Sequence, residues 1–105
     1  MTEQDKNDEN IFYSLTTEDS KELPPKVSLY YRRFEDAENG YRELDEQFTG
    51  EGLEAGKEKV VDYRIVNRIF YYRRREYRAA GRRVTVELRA EEFVKCPPRP
   101  QEAGA

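Results

Sequence analysis

The chain has 105 residues, 39% of them charged, a formal net charge of −3 and one cysteine. That length holds one domain at most and excludes a disulfide framework. Histidine is absent, which excludes ordinary zinc sites and the Ser-His and Cys-His dyads of nucleophilic catalysis.

The N-terminal segment 1–10, MTEQDKNDEN, has one apolar residue and cannot offset the entropy of ordering, so it reads as an unstructured acidic tail. It is acidic where a secretion signal is basic and apolar, and no apolar run in the chain approaches a membrane span. A cytoplasmic location without a membrane partner is therefore expected. Residues 11–95 form the candidate domain. Its 8 Tyr and 5 Phe imply a thin, aromatic-rich core.

Ile11 to Leu15 reads as a short first strand, and Pro24-Pro25 closes the polar connection that follows. Lys26 to Phe34 alternates, with Val27, Leu29 and Tyr31 on one face and Ser28, Tyr30 and Arg32 on the other. Asn39-Gly40 is a strong type I′ turn signal. It predicts a hairpin of strands near 26–35 and 41–48, with Tyr31 opposite Phe48 and Arg33 opposite Glu46. The glycines that follow do not make a phosphate loop, because Glu51 stands where its first Gly is required. Residues 35–46 do not make a calcium loop either, since Ala37 stands where an oxygen ligand is needed.

Residues 60–78 are the main core segment. The spacing of Val61, Ile65 and Ile69 also suits a helix over 59–80, but the Val, Ile, Phe and Tyr content favours a strand. A 19-residue run is long for one strand, so a bulge or break is expected near Asn67 or Arg73 to Arg75. A turn at Ala80-Gly81 leads to the clearest strand, near 83–94, with Val84, Val86 and Leu88 inward. That turn sets Arg74 opposite Glu87 and Tyr77 opposite Val84, and it leaves Arg73 and Arg75 on an apolar face. From Cys96 the chain is Pro- and Gly-punctuated, and 96–105 reads as a second unstructured tail. Its PPRP fits a minimal PxxP but is read as part of that tail.

The predicted fold is mainly β, a small antiparallel meander, curled or barrel-like; the alternative is α+β with 59–80 helical. Charge divides along it, with 16 acidic and 7 basic side chains in residues 1–58 and 6 and 12 in residues 59–105. The basic half is concentrated in YYRRREYRAAGRR, residues 71–83. Arginine offers a planar fork for carboxylate or phosphate, and tyrosine a rigid face for packing. The candidate partner-binding residues are Tyr71, Arg73, Arg75, Tyr77, Arg78, Arg82 and Arg83, joined across the sheet by Tyr30 and Arg32. They predict a non-enzymatic protein-interaction module, facing an acidic partner or a second copy. The alternative is an RNA- or single-stranded DNA-binding domain using the same face. No cofactor or metal is expected.

Overall fold

The computed structural model describes residues 10–65 and 68–92. Six strands and one helix follow in the order β1 (Ile11–Asp19), β2 (Lys26–Tyr31), α1 (Phe34–Gly50), β3 (Glu54–Ala55), β4 (Lys59–Ile65), β5 (Arg68–Ala79) and β6 (Arg82–Glu92). The protein is mainly antiparallel β, as its composition predicts. The sheet runs β2-β1-β6-β5-β3, with β4 also paired to β5, and it is open rather than closed into a barrel.

The largest departure from the sequence reading is α1. The predicted hairpin about Asn39-Gly40 is absent, and both residues lie inside a 17-residue helix. Phe34, Ala37, Tyr41, Leu44 and Phe48 recur at three- and four-residue intervals and form its inner stripe. Packing five side chains outweighs one local turn preference, since each buried large residue contributes about 1.5–3 kcal/mol. Gly40 serves close approach instead of a turn. A Cβ there would lie 2.8 Å from the Tyr31 hydroxyl and 2.9 Å from Leu15 Cδ2. The helix ends in a Schellman motif: Gly52 adopts φ +94, its N–H donates to the Thr49 carbonyl, and Leu53 N–H reaches back to Phe48. Leu53 and Phe48 are both buried, completing the apolar contact of that motif.

The 59–80 segment is a strand pair, not a helix. Ile65 pairs with Arg68, so the chain reverses between them. The expected break near Asn67 lies outside the described residues, and β5 runs unbroken through the other expected position, Arg73 to Arg75. The β5–β6 hairpin has the predicted register: Ala79 opposite Arg82, Tyr77 opposite Val84, and Arg74 opposite Glu87. Gly81 supplies the positive φ (+77) that its turn requires. The predicted strand 11–15 extends to Asp19, whereas 26–35 stops at Tyr31 before α1 begins. The proposed tails, apart from Asn10, and the PPRP segment lie outside the described residues.

The core forms between α1 and one sheet face. Tyr13 and Leu15 of β1, Val84, Val86 and Leu88 of β6, and Tyr77 of β5 are almost fully buried there. Strand alternation sends the intervening side chains to the opposite face, which α1 leaves uncovered.

Candidate interaction surface

The odd-numbered residues of β5 from Tyr71 to Tyr77 share the face of Val84, Val86 and Leu88, and α1 lies over them. Two three-residue clusters join helix to sheet there. In the first, Tyr77 Oη donates to Asp45 Oδ1 at 2.7 Å, and Arg75 Nη1 reaches the same oxygen at 3.2 Å. Arg75 also donates to the Gly56 carbonyl at 2.9 Å. In the second, Tyr41 Oη and Arg73 Nε converge on Glu58 Oε2, at 2.9 and 2.6 Å. Arg73 further stacks over Tyr41, 4.5 Å from the ring centroid, and approaches Glu38 at 3.8 Å.

These contacts account for arginines on an apolar face. Their stems run beneath the helix, and their charged ends meet carboxylates at its margin. Burial, then the hydrogen bond to Asp45, pushes the Tyr77 hydroxyl well above its ordinary range. Burial and Glu58 do the same for Tyr41. Burial would raise the Glu58 carboxyl, but the hydrogen bonds from Arg73 and Tyr41 prevail and hold it below the ordinary value. Glu58 is thus held ionised between two donors, Asp45 accepts from two donors in the same way, and each cluster is a structural clamp.

Arg82 forms a third clamp. Its Nε and Nη2 grip both oxygens of the buried Asp19, at 3.2 and 2.7 Å, while Nη1 holds Glu51 at 2.8 Å. The hydrogen bond from Arg82 is the main reason the Asp19 carboxyl titrates below its ordinary value.

Five of the nine sequence-predicted residues are therefore occupied within the fold: Tyr71, Arg73, Arg75, Tyr77 and Arg82. Tyr71 is buried against Phe34 in an edge-to-face contact with centroids 5.1 Å apart. Arg78, Arg83 and Tyr30 lie on the uncovered sheet face, and Arg32 lies in the β2–α1 connection.

That open face carries two features. At the β5–β6 turn end is a hollow of about 600 Å³, lined by Arg74, Arg78, Arg82 and Arg83 together with Glu18 and Glu76. Arg74 and Arg78 share Glu76, at 3.1 and 3.0 Å, so the predicted Arg74–Glu87 register holds while the ion pair forms elsewhere. Those two guanidiniums, Arg78 first, hold the Glu76 carboxyl below its usual value. Arg83 stands directly opposite Arg78 and makes no ion pair among the described residues. Like charges directly opposed across strands destabilise a sheet unless something anionic lies between them.

Toward the other end, Val61, Tyr63, Phe70 and Tyr72 line a second hollow of about 400 Å³. Tyr63 stacks on Phe70 with centroids 4.9 Å apart, and Arg89 covers Tyr72 at 5.3 Å. Across the sheet, Phe12 packs on Tyr30, which is 66% exposed. Val61, Tyr63, Phe70 and Tyr72 were missed as site residues because the Arg/Tyr stretch was assigned to one face. Recognising α1 from its apolar stripe would have covered the odd-numbered face and directed attention to Phe70, Tyr72, Arg74 and Arg78.

No group of His, Cys, Asp and Glu among the described residues is arranged to hold a metal, and no described helix is long and apolar enough to cross a membrane. Comparison of the chain with models of protein families, with curated proteins and with solved structures finds no match.

Proposed function

We propose that the protein is a non-enzymatic interaction module that grips an acidic protein surface with the open face of its sheet. The observation that carries this reading is the Arg78–Arg83 pair, two cations held opposite each other on an uncovered face whose other end carries aromatic rings. Arginine and aromatic residues are the commonest energetic anchors of protein interfaces. The partner contacts are assigned to Arg74, Arg78 and Arg83 at one end and Tyr63, Phe70 and Tyr72 at the other, with Tyr30 at the margin. The arginines beneath α1 serve the fold.

Affinity capture from a nuclease-treated lysate with the wild type and with an Arg74→Glu/Arg78→Glu/Arg83→Glu variant tests this. Acidic proteins retained by the wild type and lost by the variant are the expected result. Equal capture by both would overturn it. Capture that disappears on nuclease treatment would transfer the face to nucleic acid.

A further inference from the structure

We infer that the protein forms a two-fold dimer through the exposed edge of β2, where the same strand of a second copy continues the sheet. The inference goes beyond the reading of the open face and does not depend on it.

β2 ends the strand order, with β1 on one side of it and no described strand on the other. The direction of its backbone groups follows from one bond. Asp19 N–H donates to the Pro25 carbonyl at 2.8 Å, one step beyond the Glu18–Lys26 pair of the β1–β2 register. Directly opposed residues of an antiparallel ladder alternate between bonded and non-bonded pairs. Val27, Leu29 and Tyr31 therefore bond to β1, and the N–H and C=O groups of Lys26, Ser28 and Tyr30 point out from the edge. Such a row is a template for another strand, and proteins usually blunt it with charge, proline or shortness. The opposite side of the sheet is blunted in this way. β3 has two residues there, and β4 carries Lys59, Asp62 and Arg64. β2 has six residues, no proline and a single charge, Lys26, at its start.

The strand that fits this edge is β2 itself. A two-fold axis at Ser28 sets Ser28 opposite Ser28, Val27 opposite Leu29, and Lys26 opposite Tyr30. Every outward backbone group then meets its complement. Val27 and Leu29, each about half exposed, share the covered face with Leu15. They line a hollow of about 820 Å³ beside α1, together with Leu44 and Phe48. In the dimer they form two apolar cross-strand pairs at the rim of that hollow. On the other face, each Lys26 ammonium lies against an exposed Tyr30 ring, where cation and π face attract. The neighbouring registers fit less well. An axis at Leu29 sets Lys26 opposite Arg32, like charges across the strands. An axis at Val27 sets Tyr30 opposite Pro24, which has no N–H to donate. Charge and hydrogen bonding thus select one arrangement of two copies. Its axis is perpendicular to the sheet, so both helices lie on one side and both arginine hollows on the other.

Sedimentation velocity of the full chain between about 10 and 500 μM tests this. A reversible monomer–dimer equilibrium in the micromolar range is expected, as suits an interface of one strand pair. Ser28→Pro removes an outward N–H and no bond to β1, and should weaken dimerisation by about tenfold or more. Ser28→Ala gives up only the side-chain hydrogen bond to Thr16 and should dimerise as the wild type does. Thermal melts show whether each variant remains folded. Val27→Lys and Leu29→Glu should each weaken the dimer without touching the backbone. The double variant Val27→Lys/Leu29→Glu should regain it in a salt-sensitive form, because the Ser28-centred register alone sets those two positions opposite each other.

A chain that stays monomeric throughout that range would overturn the inference, as would dimerisation unchanged by Ser28→Pro. A double variant no stronger than the single ones would overturn the register. Self-association lost in Arg78→Glu/Arg83→Glu protein but kept in Ser28→Pro would move the contact to the open face. Arginine-dependent capture of acidic proteins by a monomeric chain would leave the interaction function standing while the dimer falls.

Discussion

The two faces of β5 carry nearly the same residue types and put them to different uses. Beneath α1, Arg73 and Arg75 share the partly buried acceptors Glu58 and Asp45 with Tyr41 and Tyr77. On the open side, Arg74 and Arg78 share one glutamate, and Arg83 faces Arg78. The difference shows that a dense Arg/Tyr stretch in a strand is two sets of residues interleaved. One set lies beneath α1, and the other lies on the uncovered face.

The sharpest separation should come from the rings. Tyr77→Ala is expected to cost about 3–5 kcal/mol, because it empties a fully buried site and leaves Asp45 with one donor fewer. Tyr63→Ala on the open face, where Tyr63 is 49% exposed, should cost less than about 1 kcal/mol. Urea denaturation of both variants would erase the contrast if the two losses were alike.

A smaller effect is expected at the carboxylates. Glu58→Ala removes the acceptor of both Tyr41 and Arg73 and should cost about 1–3 kcal/mol. Glu76→Ala, whose partner Arg78 is 65% exposed, should stay below about 1 kcal/mol. The same denaturation series reads this difference, and a larger loss at Glu76 would reverse the assignment of roles.

Acid should act on the carboxyls that arginines hold, Asp19 and Glu58 on the covered face and Glu76 on the open one. The Asp19 and Glu58 carboxyls titrate below their ordinary values in the folded protein. Their stabilisation is therefore complete above the unfolded carboxylate range of about 4 and is lost as pH falls through the folded values. A stability profile between about pH 6 and pH 2 should fall on the acid side, and Glu58→Gln should flatten that fall. An unchanged slope would show that Glu58 is not held ionised.

The smallest effect is expected at Arg83. Replacing it by Ala removes the like-charge opposition to Arg78 and should leave stability unchanged or raise it by a few tenths of a kcal/mol. Destabilisation beyond about 1 kcal/mol would mean that Arg83 serves the fold and is unavailable to a partner.

Much of the sheet was legible in the sequence. Ala80-Gly81 and the alternation of Val84, Val86 and Leu88 set the β5–β6 register correctly. That register also exposed the anomaly of Arg73 and Arg75 on an apolar face, although not its solution. The solution lay in α1, which the Asn39-Gly40 signal concealed. A turn dipeptide acts over four residues, whereas the stripe from Phe34 to Phe48 acts over fifteen and wins when a sheet lies beneath it. The open face was only half legible. Strand parity separates Tyr72, Arg74 and Arg78 from their neighbours, but which parity is covered depends on a tertiary contact.

The position of β6 has a consequence for synthesis. It is the central strand, flanked by β1 and β5, yet the last of the described strands to leave the ribosome. Ser14 and Glu91, joined by a side-chain hydrogen bond across β1 and β6, are 77 residues apart. Until β6 emerges, β1 and β5 have no common neighbour and α1 has no complete floor. The core can therefore close only after β6 has been synthesised and has left the ribosome.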